Sequence, residues 1–323
     1  MRLGSPLLKL PVRFCGDTLA REVVALPEAA WMEHPQKYDG NIAVPLVSPG
    51  GAQVHQTFGP MAPTEWLKRC RYIVEIMQAL DATWGRSRLM GLAAGAVVPE
   101  HVDIHYYWRT HLRIHIPVIT NPQVGFTAAG ETIHMQAGDC YILDSFYRHA
   151  VKNAGSETRV HLVLDTVGSA HLWDLIEEAQ QKAEPRFVKP GQTEVQSLNF
   201  EQINAPAVMS PWEIRTHLAY IADWTDDGPE LQEILKILDR FLMAWTGAWA
   251  AHGPSEAGLP IYLRLLSDIR PAISKVSNPG FLMRNGRMLC EAVDRFILGN
   301  AIAPAIVQKL QRSGAMQPFR MSA

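Results

Sequence analysis

The chain reads as a mainly β core with flanking helices, followed by a helical domain, and three observations predict this. Between Arg86 and Thr166, short apolar runs are separated by turn signals at Ala94-Gly95, Ala129-Gly130-Glu131 and Ala154-Gly155-Ser156. Such spacing belongs to all-β barrels and sandwiches. Within that stretch Arg109, His111, Arg113 and His115 alternate with Thr110, Leu112, Ile114 and Ile116, and Arg159 and His161 alternate with Val160, Leu162 and Leu164. That is the period of a strand with one polar and one apolar face. Beyond about residue 205 the apolar positions take helical spacing instead.

Taken in order, residues 6–14 predict a strand, and Thr18–Leu26 a short helix with Asp17 as N-cap. Pro45, Pro49, Gly50 and Gly51 break up a strand-and-loop region. A longer helix is expected over Thr64–Trp84, from the apolar stripe Trp66, Ile73, Val74, Met77 and Leu80. Gln136-Ala137-Gly138-Asp139 reads as the turn feeding a strand that ends at Asp144. Ser169–Glu184 is amphipathic and ends before Pro185 and the loop Lys189-Pro190-Gly191-Gln192. Ser210-Pro211, with Glu213 as capping-box partner, opens the first helix of the C-terminal part. Further helices are expected at about 229–250, 259–275, 281–299 and 303–313, with Ile234, Leu235, Leu238, Phe241 and Leu242 as a core stripe. The domain boundaries that follow are 1–185 for the β core, 186–204 for a linker and 205–323 for the helical domain.

With 323 residues, 47% of them hydrophobic, the chain has ample core, and its net charge of −2 leaves no footprint for nucleic acid or an anionic membrane. Cys15, Cys70, Cys140 and Cys290 are scattered without CxxC spacing, which predicts reduced thiols and a cytoplasmic setting. No apolar run is long enough to span a membrane. A homodimer stays open.

The chemistry lies in His101-Val102-Asp103 and the distant His149. Two imidazoles and a carboxylate form the ligand set of non-haem Fe(II) oxygenases. Residues i and i+2 of an extended strand share a face, so His101 and Asp103 can address one ion. Charged side chains are seldom buried unpaired, so strands that carry arginine near that point predict a pocket for an anionic co-substrate. Arg88, in the preceding SRLMGL strand, is a further candidate for a carboxylate of co-substrate or substrate. His105 is a rival metal ligand, and Tyr106, Tyr107 and Trp108 are candidates for a pocket wall.

Over about 65 residues the segments GAVVPEHVD, RTHLRIHIPV, HMQAGDCYILDSFYRHAVKN and TRVHLVLD resemble the aspartyl/asparaginyl β-hydroxylase family of Fe(II)/2-oxoglutarate dioxygenases. The resemblance implies a double-stranded β-helix, or cupin-type jelly roll, for the core. It implies iron on His101 and His149, and 2-oxoglutarate held by Arg113, His115 and Arg159. Asp103 departs from the animal members that hydroxylate protein domains and matches bacterial proline-hydroxylase relatives, which keep HxD. A carboxylate at that place also argues against halogenation. The activity implied is hydroxylation of an amino acid or a peptide residue at the β or a neighbouring carbon, using O2 and releasing succinate and CO2. Two other readings stay open: a cupin-type metal enzyme that uses no keto acid, and an inactive barrel that serves as a binding module.

Overall fold

The computed structural model describes residues 3–192, 196–276 and 281–312. They form two compact units. One comprises Met1–Asp103 and Tyr107–Asn204, the other Ile104–Tyr106 and Ala205–Ala323.

The first unit is a double-stranded β-helix. Its principal strands are β1 (Leu7–Phe14), β2 (Asn41–Pro49), β3 (Thr83–Leu92), β4 (Val97–His101), β5 (Leu112–Ile119), β6 (Val124–Ala128), β7 (Glu131–Ile133), β8 (Asp139–Leu143), β9 (His149–Asn153) and β10 (Arg159–Gly168). The larger sheet runs β1-β8-β5-β10-β3-β2, with short strands added at its edges, and the smaller runs β4-β9-β6-β7. The three glycine-bearing turns expected from sequence lie between β3 and β4, β6 and β7, and β9 and β10. Gly138 shows why the fourth turn needs glycine. Its φ is +80°, and a Cβ there would sit 2.1 Å from the Phe14 carbonyl oxygen.

The register sorts the large sheet into two chemically distinct faces. Val163 of β10 pairs with Arg88 and His115, Asp165 with Arg113, and Arg159 with Leu92. These residues and their i±2 neighbours share one face. The other face carries Leu89, Ile114, Ile116, Leu162 and Leu164, all buried in one apolar cluster. Helices cover it: Leu19 and Val23 of Gly16–Val24, Ile73, Ile76, Met77 and Leu80 of Arg71–Leu80, and Leu172, Leu175 and Ile176 of Ala170–Gln180. The main hydrophobic core therefore lies outside the barrel, between sheet and helices.

Several elements differ from the sequence expectation. The helix expected over Thr64–Trp84 is two helices, Glu65–Lys68 and Arg71–Leu80, followed by β3, which takes Trp84. A new start is possible at Arg71 because the Glu22 carboxylate accepts the N–H of Tyr72 (2.6 Å) and of Ile73 (3.2 Å), capping the free amides from across the fold. Asp81, with φ +42°, ends the helix. The first helix begins at Gly16, with Cys15 and not Asp17 as N-cap, since the Cys15 N–H is held by the Tyr72 hydroxyl. Arg109 is not on a strand. It lies in the short helix Tyr106–Thr110, and β5 begins only at Leu112. The segment 186–204 is not a free linker, because Arg186–Val188 pairs with β1 and Asn199–Phe200 with β3.

In the second unit Ser210 caps the helix Pro211–Asp223 through the Glu213 N–H, as the capping pattern predicts. Ile234, Leu238, Phe241 and Leu242 of Pro229–His252 are buried. The expected helix 281–299 is shorter, Leu289–Val293 continuing as a π turn to Leu298. Before it, Asn285-Gly286 makes a tight turn with Gly286 at φ +77°, an Asn-Gly hairpin signal that the helical pattern masked. The last helix among the described residues is Pro304–Arg312, and residue 313 lies outside them. Among the described residues no helix is long and apolar enough to cross a membrane.

The two-faced sheet carries a test. Leu162→Ala removes a fully buried side chain from the outer core and should cost about 2–5 kcal/mol of unfolding free energy. Metal affinity should stay unchanged, because the metal set faces the other side. Chemical denaturation and metal titration of the same variant check both halves.

Candidate metal centre and anion pocket

His101 closes β4 and His149 opens β9, and the two residues are direct antiparallel partners. That pairing brings their rings to 4.2 Å between centroids. Asp103 stands beyond the end of β4, so the expected shared face of one strand is not what aligns it with His101. Its backbone N–H bonds to the Ser145 carbonyl at 3.0 Å, and the carboxylate lies 3.9 Å from Nε2 of each histidine. Among the described residues these three are the group that could hold a metal ion, with candidate donor atoms within 4.8 Å of one another. His105 is not part of it. Donors on a shared octahedral ion sit roughly 3 Å apart at bonds of about 2.1 Å, so a small contraction closes the site.

The protonation pattern suits a metal. Nδ1 of His101 faces the Pro99 carbonyl at 2.8 Å, and Nδ1 of His149 faces the Tyr147 carbonyl at 2.9 Å. A carbonyl only accepts, so each Nδ1 carries the proton and each Nε2 keeps its lone pair for a ligand. Burial, outweighing the attraction of Asp103, lowers His149 to about 4 and keeps it neutral. Burial would raise Asp103, but Arg113 and the two histidines outweigh it and hold the carboxyl at about 2.

Arg113 is the partner of that carboxylate. Its Nη1 donates to Asp103 at 2.7 Å and its Nε to Asp165 at 3.0 Å. Burial lowers its pKa, and the two carboxylates more than reverse this, so the net shift is upward. The Trp108 ring lies 4.1 Å from the Arg113 Cζ and 4.9 Å from that of Arg86. Arg86 is anchored too, by the His55 carbonyl at 3.0 Å and by Asp165 at 3.6 Å.

Two other guanidiniums on the same face have no such anchor. Arg88 and Arg159 are 3% and 5% exposed, and no ion pair is found for either among the described residues. Nη1 of Arg88 and Nε of Arg159 are buried without a hydrogen-bond partner. Burial alone lowers Arg159 to about 9, and burial followed by Arg86 and Arg113 lowers Arg88. Both ring nitrogens of His115 are also buried and unpartnered, as are those of His161, and burial pushes both rings toward the neutral form. Buried polar groups of this kind normally have partners.

A cavity of about 220 Å³ joins these groups. It is lined by His101, Asp103, Arg113, His115, His149 and Arg159 from the sequence-derived set, and by Arg88, so every predicted site residue reaches it. Trp108, one of the three aromatic candidates for a pocket wall, lines it too, and the structure adds Arg86, Met90, Asn41 at the start of β2 and, from the loop before it, His34 and Gln36. Arg86 was legible, two residues before Arg88 on the same strand face. His34 carried no signal, since only the fold brings that loop here. Burial and then Arg88 lower His34 to about 3. His111, just before β5, and Tyr107, in the short helix, have structural duties. His111 stacks on Tyr107 at 3.7 Å and pairs with Glu201 at 3.0 Å. Tyr107 is fully buried, and its hydroxyl accepts the Arg86 N–H at 2.8 Å. Tyr106 groups with the helical unit, where its hydroxyl donates to Glu213 at 2.6 Å.

Residues 53–168 match the family model described as aspartyl/asparaginyl beta-hydroxylase. The match spans both metal histidines, Asp103 and all four pocket arginines, and it bears out the resemblance carried by the motifs. Among solved structures, similarity is found to a 2OG-Fe(II) oxygenase family oxidoreductase from Burkholderia pseudomallei, at 13% identity over 51% of this chain and 87% of that one, with a TM-score of 0.35. The nickel complex of the non-heme monooxygenase ThoJ is 14% identical over 50% and 74%, TM-score 0.32. The cupin domain of Schizosaccharomyces pombe Cnp3 is 15% identical over 30% and 62%, TM-score 0.21. No curated protein matches the chain.

The geometry predicts one equivalent of Zn(II) or Mn(II) bound by the folded protein. His149→Ala should weaken that binding by more than about a hundredfold, because changes behind the ligands alone cost 10- to 100-fold. Calorimetric titration of both proteins measures it.

Proposed function

We propose that this protein is an Fe(II)- and 2-oxoglutarate-dependent dioxygenase that hydroxylates an unactivated carbon, β or neighbouring, of an amino acid or peptide residue. The observation that carries the proposal is Arg159. It is a buried guanidinium with no counter-charge among the described residues, in the cavity that holds two imidazoles and a carboxylate. A dicarboxylic keto acid supplies both missing partners, one carboxylate for the metal and one for Arg159. Iron on His101, Asp103 and His149, with 2-oxoglutarate and O2, would supply the oxidising chemistry and release succinate and CO2.

The chain's own residues have distinct duties in this reading. Asp103 stays ionised beside Arg113, and both histidines offer Nε2 while their Nδ1 protons stay fixed on carbonyls. His115, neutral, can donate one N–H to the keto acid. Arg113 serves the metal carboxylate and Asp165 more directly than the keto acid, which refines the assignment that the resemblance implies. Trp108 and Met90 line the cavity beside these groups.

A cupin-type enzyme without a keto acid is the weaker reading. Such sites commonly offer three or four imidazoles, and the set here has two imidazoles and a carboxylate. It would also leave Arg159 buried and unmatched. A binding module that has lost turnover has no use for two histidines held in the ligating tautomer.

Succinate release on adding iron, ascorbate and 2-oxoglutarate tests the proposal. Arg159→Ala should raise the keto-acid requirement by about 2–3 kcal/mol, on the order of 30- to 150-fold, the cost of losing a charged hydrogen bond. Metal affinity should hardly change. A variant that binds 2-oxoglutarate as tightly as the parent puts the pocket in the wrong place.

A further inference from the structure

Four guanidiniums line the cavity, Arg86, Arg88, Arg113 and Arg159, and two carboxylates, Asp103 and Asp165, stand against them. The surplus is two, and it resides on Arg88 and Arg159. In the reading proposed above, the keto acid gives one carboxylate to the metal and one to Arg159. Nothing is left for Arg88, which is 3% exposed with Nη1 unpartnered.

Arg88 is also in a different place. Arg159 pairs with Leu92, four residues further along β3, so the two rows stand roughly 13 Å apart along the strand at about 3.3 Å per residue. The lining also includes His34 and Gln36, polar residues from outside the segment that matches the hydroxylase family, whereas Asn41 stands in the Leu92 row with Arg159. An isolated buried cation is costly unless something neutralises it. A cavity of about 220 Å³ is small against the 300–1,000 Å³ of ordinary ligand sites.

We propose that Arg88, with His34 on the same wall, is a second anion subsite that takes a free carboxylate of the substrate, so that the enzyme acts on a small amino acid with its carboxylate unblocked and not on a residue inside a peptide chain. This rests on the dioxygenase reading, and it adds a specificity residue to it. Arg88 is thereby reassigned from the keto acid, for which the sequence also made it a candidate, to the substrate.

The test uses the full chain loaded with Zn(II), which is silent in turnover, and saturated with 2-oxoglutarate. The twenty amino acids and their primary amides are titrated by calorimetry. The parent should bind at least one acid about tenfold or more tighter than its amide, the difference a charge-assisted pair makes. Arg88→Met should abolish that preference while the 2-oxoglutarate affinity stays within threefold, and Arg88→Lys should restore part of it. His34→Phe should weaken the acid several-fold. The metal-free, ligand-free Arg88→Met protein should also melt at a higher temperature than the parent, because it loses an unpaired buried charge; an arginine kept only for structure would make it melt lower. Acids and amides bound equally, or none of either bound, overturns the free-carboxylate assignment. A tenfold loss of 2-oxoglutarate affinity in Arg88→Met returns Arg88 to the keto acid. Arg159→Met serves as the control for the underlying reading. If it leaves 2-oxoglutarate binding intact, the dioxygenase pocket itself is misassigned, whatever Arg88 does.

Discussion

Arg113 held between Asp103 and Asp165 is the interaction on which the site depends. Asp103 lies past the end of its strand, where no ladder fixes it; its backbone N–H donates to the Ser145 carbonyl and its carboxylate is aimed by Arg113. Asp165 comes from the row of β10 that pairs with Arg113 on β5, so the bridge is set by sheet register. Two buried carboxylates around one guanidinium satisfy charges that would separately be expensive to bury. The Trp108 ring lies against Arg113 and Arg86; the Asp103 oxygen that Arg113 takes is also 3.9 Å from His149 Nε2, and the other oxygen is 3.9 Å from His101 Nε2.

The same economy is not extended to Arg88 and Arg159. A fold that buries four arginines on one sheet face and matches only two of them is less stable than it could be. In the proposed reading a ligand completes that excess charge. The stability to carry this comes from the opposite face of the same strands. Leu89, Ile114, Ile116, Leu162 and Leu164 pack beneath three helices, so the hydrophobic core and the arginine-lined cavity wall are built from alternate residues of shared strands. Strand period two lets one sheet do both.

The helices are placed by that outer core and by local polar devices. Glu22 caps the helix that starts at Arg71, and the Tyr72 hydroxyl links the Cys15 N–H to the Val188 carbonyl. These contacts connect residues fifty to more than a hundred positions apart. They also explain why Arg186–Val188 joins the sheet edge and does not hang as a linker.

Residue pattern alone marked the β core, its glycine turns and the inward-facing Arg88, Arg113 and Arg159, because alternation in a strand and φ > 0 at a turn are local properties; the His101, Asp103 and His149 candidates came from their HxD and distant-His spacing, not from a shared strand face. Arg113, His115 and Arg159 were legible as pocket residues for the same reason. Tertiary structure decided which of those charges are spoken for. Arg113 became the keeper of Asp103 and Arg88 an unmatched cation only once register set Asp165 opposite one and Val163 opposite the other. It also decided that Asp103 reaches the metal set from outside the strand, that Thr64–Trp84 breaks where Glu22 can cap it, and that His34 joins the wall. Each depends on partners distant in sequence, and a charge pattern read along one strand does not reveal what faces it from the next.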